Sequence, residues 1–374
     1  MTHTALRAQV ESLGALIRDT TWEVEDHARR TISTPDHHAL QLVLLTGCGD
    51  SFFAARAAQF AWQELTGLPC FADDALTAAR YRIGDLAGGR RFRPLVVAVS
   101  NSGEVARVVE AARTAQALGN FVVAVTAAAD SRLAAAADKV LPVAAPPFAA
   151  APGVRSYAMS LLGLFHLAIR SGEVRGRYTM DEAGALRREL AALADAVDQT
   201  VAEAAPVVAR LAADWGDRAQ LQYLGSGPSR ASAGYGAAKV LEATGISARD
   251  QDVEEFAHLE YFTADTSIPV VLTTPGDGAA RSRAEEVAAL LEKLGRPTVT
   301  VSDQPLTGVH LPYAAGVREL WQPLLHIVPL ALLAEELMRL RGEEPGRGGR
   351  DGWADSADGS TTRSSRITVP LANS

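Results

Sequence analysis

Ser100-Asn101-Ser102-Gly103-Glu104 lies between an apolar run that reads as a strand and a stretch with helical periodicity. Two hydroxyls, a side-chain amide and the free N–H groups of a helix N-terminus converge at such a turn, a set suited to a phosphate monoester. Gly103 would let the backbone approach the ligand closely. The same residues also fit an ordinary helix cap, with Ser102 as N-cap and Glu104 in the first turn. A second pair, Lys239 and Glu242, is three residues apart and shares one helix face. Its neighbours Gly234, Gly236, Ala237, Ala238, Val240 and Leu241 are small or apolar, so the pair reads either as buried chemistry or as a surface ion pair. Glu255 and His258 are likewise three apart and could do acid–base work or be structural.

Gly47-Cys48-Gly49-Asp50-Ser51 forms another strand-to-helix turn that could bring Ser51 and backbone amides to the same ligand. A dinucleotide fingerprint is the alternative, with Asp73 downstream for a ribose, but its third glycine would fall on Phe52. Thr274-Pro275-Gly276-Asp277 occupies the corresponding place later in the chain. Proline removes a donor there and Asp277 repels an anion, so one phosphate site per chain is expected.

The elements that must position these residues follow from the apolar pattern. Residues 5–33 read as helical. Buried strands are predicted at Gln41–Leu45, Pro94–Val99 and Phe121–Val125, with an edge strand at Lys139–Val143. Leu221–Leu224, Pro269–Thr274 and Gly295–Val301 repeat the pattern. Gly47 and Gly225, Pro94 and Pro269, and Gly119 and Gly295 are 178, 175 and 176 residues apart, a nearly constant offset that argues for duplication of one α/β unit. The stretch from about 155 to 218 is helical. Residues 342–363, rich in Gly, Asp, Arg and Ser, read as a loop before the short apolar piece Ile367-Thr368-Val369. The expected class is α/β, with two parallel sheets covered by helices on both faces. The expected divisions are a helical segment 1–35, domains at 36–175 and 176–341, and a tail at 342–374 that reaches the active site.

Composition narrows the function. The chain has 374 residues, 48% hydrophobic and 21% charged, which suits two or three globular domains. The net charge is −8, from 36 basic and 44 acidic side chains, with no basic block, so nucleic acid is disfavoured. The two cysteines, Cys48 and Cys70, form neither a disulfide framework nor a zinc cluster and read as small buried thiols. No apolar run is long enough for a membrane span, and the N-terminus lacks a signal-peptide core, so a cytoplasmic protein is expected.

Together these motifs resemble the tandem sugar isomerase (SIS) domain family, over about residues 40–330 and the C-terminal tail. The family's Cys-Gly-Thr-Ser is similar to Cys48-Gly49-Asp50-Ser51, and its Ser-Gln-Ser-Gly-Glu-Thr phosphate loop to Ser100-Asn101-Ser102-Gly103-Glu104-Val105. Its Gly-Val-Ala-Ser is similar to Gly153-Val154-Arg155-Ser156. From Leu224 to His258 the match needs no gap, and it falls on Lys239, the catalytic carboxylate Glu242, Glu255 and the ring-opening His258.

The resemblance implies two tandem three-layer αβα SIS domains. It implies aldose–ketose isomerisation of a phosphorylated sugar or aminosugar through an enediol or enediolamine, or deamination or deglycation if nitrogen sits at the reacting carbon. No metal or cofactor is implied. Glu242 would shuttle the proton, its acidity weakened by burial in the small-residue helix. Lys239 would stabilise charge on the sugar oxygen, and His258 would open the ring. The substrate would contact Gly49, Asp50, Ser51, Ser100, Asn101, Ser102, Val105, Val154, Ser156, Ser365 and Arg366. A homodimer is implied, with His258 contributed across the interface. Four departures stand out: Val105 for threonine, Asp50 for threonine, Tyr235 for glutamate, and Ser365 for the tail lysine that forms a Schiff base. No cysteine follows Met1, and no glutamine amidotransferase activity is expected. A non-catalytic regulator that binds sugar phosphates is the alternative, and a nicotinamide enzyme a distant third.

Overall fold

The computed structural model describes residues 4–87, 94–343 and 360–369. The first third of the chain forms α1 (Ala5–Glu11), α2 (Leu13–Thr31), α3 (Thr34–Ala39), β1 (Val43–Gly47), α4 (Asp50–Thr66) and β2 (Cys70–Asp74). Then come α5 (Ala75–Thr77), a π turn at Ala78–Arg82, α6 (Ile83–Ala87), β3 (Leu95–Val99), α7 (Ala106–Ala117), β4 (Phe121–Thr126) and β5 (Lys139–Pro142). Two long helices follow, α8 (Arg155–Val174) and α9 (Met180–Trp215). The remainder forms β6 (Gln220–Gly225), α10 (Pro228–Thr244), β7 (Ser247–Asp252), α11 (Val253–His258), β8 (Val270–Thr273), α12 (Arg281–Lys293) and β9 (Thr298–Ser302). It closes with β10 (Val309–Pro312), α13 (Gln322–Leu340) and the short α14 (Ser360–Arg363). Of the expected loop at 342–363, residues 344–359 lie outside the described residues.

The class is α/β as expected, with two five-stranded parallel sheets ordered β2-β1-β3-β4-β5 and β10-β9-β8-β6-β7. Every residue of β1, β3 and β4 is buried, as a strand covered on both faces requires. The structure adds three strands that the apolar pattern does not announce: β2, β7 and β10. All three are sheet edges. β7 reads Ser-Ala-Arg-Asp-Gln-Asp and is held by its ladder to β6, from Gln220↔Ser247 to Gly225↔Asp252, not by apolar burial. The expected edge strand at Lys139 is also an edge.

The chain divides into two compact units. The first comprises residues 18–146, 156–191 and the described tail, and it contains the β1–β5 sheet. Its core packs Leu44, Val96, Ala98, Val108, Ala112 and Val122 together, with Cys48, Val105 and Ile367 against the margin. Cys70 is buried as expected, whereas Cys48 is only half-buried at the mouth of its turn. In the same unit, Arg187 is buried in an ion-paired network with Glu25 (2.7 Å) and Glu173 (2.6 Å). His166 meets the Thr21 hydroxyl at 2.9 Å, and His37 meets the Ser171 hydroxyl at 3.2 Å.

The second unit comprises residues 4–17, 147–155 and 192–343 of the described chain, with the β6–β10 sheet. Helix α10 lies close to its sheet and to α13. A Cβ on Gly236 would come within 2.7 Å of the Tyr223 ring and 3.1 Å of Leu330, so only glycine fits. The duplication is visible in the backbone: Gly49 before α4 has φ 55° and ψ −129°, and Gly227 before α10 has φ 56° and ψ −134°. No helix among the described residues is long and apolar enough to cross a membrane.

Candidate active site

In the first unit the loop Ser100–Glu104, expected to hold an anion and called the anion loop below, follows β3. Ser100 is buried, its N–H donating to the Val125 carbonyl (3.0 Å) and its hydroxyl accepting from Gly103 N–H (3.2 Å). Asn101 is exposed and Ser102 half-buried. Gly103 has φ +67°, and a Cβ there would sit 2.0 Å from the Ser131 hydroxyl. The cap reading of this stretch is corrected. Ser102 accepts only from Glu104 N–H at 3.3 Å, and the N-cap of α7 is Val105, which contributes no side-chain bond. Helix α7 therefore begins without a side-chain acceptor on its first amides, and its dipole adds positive potential there.

The neighbouring turn behaves alike. Gly49 is the N-cap of α4 without a side-chain bond, and Asp50 and Ser51 open that helix half-buried. Asp50 lies close enough to Tyr157 for its charge to help raise the phenol above its ordinary range, burial being the larger cause. Asp73 is occupied by Arg82 at 2.7 Å, an ion pair in place of a ribose contact. Ser156 is half-buried in the first turn of α8.

The tail belongs to this unit. Ser365 is half-buried and Arg366 exposed. The Ser365 hydroxyl accepts from Arg107 Nη2 at 2.8 Å, and Arg107, in the first turn of α7, also donates to the Arg366 carbonyl. Arg107 had no signal in the sequence beyond its place after the loop.

In the second unit, Lys239 is fully buried on α10, and its Nζ donates to Glu242 Oε2 at 2.6 Å. The ammonium also lies 5.3 Å from the centre of the Tyr235 ring, a cation–π distance. The Tyr235 hydroxyl donates to the Gly153 carbonyl at 3.3 Å, beside buried Val154. The expected burial of Glu242 is corrected, because its side chain is 44% exposed. It stands in the last turn of α10 with exposed Leu241, off the arc that packs on the sheet. The pair is thus an exposed carboxylate held by a buried cation, which is neither of the two arrangements expected.

The partner of His258 is also corrected. Its Nε2 lies 2.8 Å from Glu254 Oε1, four residues away, rather than against Glu255. Both His258 and Glu255 are exposed, beside exposed Leu259 and Phe262. In the Thr274–Asp277 turn, by contrast, the Gly276 N–H donates to the protein's own Asp303.

Comparison with known proteins agrees with this architecture. Residues 41–169 match the model of the SIS domain. Over 336 residues the chain is 28% identical to glutamine–fructose-6-phosphate aminotransferase (isomerizing) of Bradyrhizobium diazoefficiens, covering 85% of this chain and 53% of that protein. The chain thus spans about half the length of the curated relatives it matches. In structure it is similar to the C-terminal domain of glucosamine-fructose-6-phosphate aminotransferase from Francisella tularensis. That match has a TM-score of 0.80 at 16% identity and covers 92% of this chain and 98% of that one. Glucosamine-6-phosphate deaminase from Thermotoga maritima shares the fold at a TM-score of 0.68 and 19% identity, over 90% and 97% of the two chains. Residues 41–169 are thus similar to a SIS domain, and the second sheet repeats the topology of the first.

Proposed function

We propose that this protein interconverts the aldose and ketose forms of a phosphorylated sugar or aminosugar, by proton transfer between C1 and C2. The observation that carries the reading is the Lys239–Glu242 pair, a solvent-accessible carboxylate oriented by a buried ammonium at 2.6 Å. His258 moves a proton between the ring oxygen and the hydroxyl, and the ring opens. Glu242 then takes the proton from the carbon beside the carbonyl, leaving an enediol, and returns it to the neighbouring carbon. Lys239 donates to the sugar oxygen on which negative charge develops. Where nitrogen occupies C2, the same transfer gives an imine at C2, and water releases ammonia or the linked amine to leave the ketose.

The anion loop supplies binding remote from the reacting carbons. Ser51, Ser100, Asn101 and Ser102 and the first amides of α7 hold the phosphate. The names of the relatives, an aminotransferase that isomerises fructose 6-phosphate and a glucosamine-6-phosphate deaminase, support phosphorylated hexoses and hexosamines as the substrate class. The protein works as a homodimer to which each subunit lends His258. Exposed Leu259 and Phe262 beside that histidine support this part of the reading.

A second reading, a sugar-phosphate-binding regulator, is favoured by Ser365 standing where the resembling family has its imine-forming lysine. One experiment separates the two. A panel of hexose and hexosamine phosphates in D₂O is followed by NMR. Deuterium entering C1 or C2 supports the isomerase. Tight binding without exchange or conversion of any member overturns it in favour of the regulator.

A further inference from the structure

The segment 363–369 has almost no structure of its own. After α14 it runs as bend and coil, and Ile367 is the residue of the segment that packs against the first unit's core. A short extended strap of this kind keeps its place only if something offsets the loss of backbone freedom in each ordered residue. Three side chains of the first unit do so, and they take hold mostly of main-chain atoms. Arg132 Nη1 donates to the Arg363 carbonyl at 2.9 Å. Arg107 donates to the Arg366 carbonyl and to the Ser365 hydroxyl. Glu110 Oε2 accepts from Thr368 N–H at 3.1 Å.

These grips are tied back to the anion loop. Arg107 is in the first turn of α7, directly after that loop. The backbone N–H of Arg132 donates to Glu104 of the loop at 3.0 Å. Glu110 is fully buried, and it also accepts from Arg107 and from Arg80 Nε, the latter at 2.7 Å. A buried carboxylate between two guanidiniums has its oxygens fixed in direction, so the lone pair offered to Thr368 is preset. Apart from the Ser365 hydroxyl, the clamp reads two carbonyls and an amide, so most of its grip does not depend on which side chains stand in the segment.

We propose that Arg107 and Glu110 are positioning residues that hold segment 363–369 beside the anion loop, and through that segment set the affinity for the substrate without touching it. This rests on the reading given under Proposed function. The test uses the full chain with Arg107→Ala, with Thr368→Pro, which removes the N–H that Glu110 accepts, and with both. Arg107 is partly exposed, and Glu110 keeps Arg80 when it is lost, so the fold survives.

Hydrogen–deuterium exchange without any ligand comes first. In Arg107→Ala the amides of 363–369 should exchange at least about tenfold faster, with β1, β3 and β4 unchanged. Unaltered protection of the segment overturns the proposal whatever the enzyme acts on. Steady-state kinetics with the sugar phosphate found by the D₂O panel comes second. Each single change should raise KM by about tenfold with a smaller change in kcat, and the double variant should match the singles. Multiplying effects overturn the proposal, because Arg107 would then act on the substrate independently of the tail. If no sugar phosphate is turned over, the isomerase reading fails while the exchange result still decides the clamp.

Discussion

Lys239 and Glu242 form one ion pair across two environments: the ammonium has no solvent exposure, and the carboxylate 2.6 Å away is nearly half exposed. The cation is held by the packing of α10, so it cannot follow the carboxylate outward. Glu242 is therefore tied through one oxygen to a fixed cation while its side chain remains 44% exposed. A surface pair of two flexible side chains would have no such fixed partner.

Replacing Glu242 with glutamine keeps the shape and removes the base. Turnover should fall by about 10²–10⁴-fold while substrate still binds, and exchange of the C1 or C2 hydrogen with D₂O should stop in parallel. Exchange that survives in Glu242→Gln would move the role to Glu255. Because Ser365 replaces the tail lysine, borohydride should trap no covalent adduct during turnover, and an adduct on Lys239 would contradict its role as a hydrogen-bond donor.

Ser100→Ala combined with Ser102→Ala removes two hydroxyls from the anion loop and leaves its backbone intact. KM should rise by about 10²–10⁴-fold, two lost bonds to a charged group being worth roughly 1.5–3 kcal/mol each, and kcat should change less. An unchanged KM for the phosphorylated substrate would put the phosphate elsewhere.

Gly103→Ala meets two obstacles at once, the positive φ of +67° and Ser131, whose Cβ would lie 2.3 Å from the new methyl. A destabilisation of about 2–4 kcal/mol is expected in urea unfolding. Adding Ser131→Gly should recover the steric part and leave the part due to φ. A double variant no more stable than Gly103→Ala would show that the contact is not the source of the strain.

Among the described residues three buried histidines contribute to the acid side of the stability curve. Burial lowers His37 to about 4, with the Arg170 charge assisting, and lowers His166 and His326 to about 3. In the unfolded chain each titrates near 6.5. Between those values the unfolded chain binds protons that the fold refuses, so stability is full above about pH 6.5 and falls as pH drops toward 4 and 3. Each contributes a loss of about 2 kcal/mol at pH 5. Urea midpoints at pH 7 and pH 5 should differ accordingly, and His326→Gln should flatten the slope; identical midpoints for the parent chain would contradict the assignment.

If His258 serves the neighbouring subunit, Glu242→Gln and His258→Ala proteins, each inactive alone, should regain part of the activity when mixed and allowed to exchange subunits. Light scattering that finds an active monomer would contradict this.

The strands rich in Val, Leu and Ala were legible because a strand covered on both faces must be apolar throughout. The edges β2, β7 and β10 were not, since a ladder to one neighbour holds a sequence as polar as Ser247–Asp252. Spacing placed Lys239 and Glu242 together but could not say which arc of α10 packs inward, so the exposure of Glu242 was hidden. On α11 the bond formed at four residues, Glu254 to His258, where a spacing of three to Glu255 was equally allowed. The tail contacts were hard to read because most of the hydrogen bonds go to main-chain atoms, which carry no residue code.

The twin turns at Gly49 and Gly227 differ by only a few degrees, yet the loops after β3 and β8 diverge: the first carries the Ser100 and Ser102 hydroxyls, and in the second the Gly276 N–H is taken by Asp303. The second copy has the same backbone architecture with a donor of its later turn engaged within the protein. The duplicated half thus differs in the chemistry of its turns without differing in the shape of its backbone.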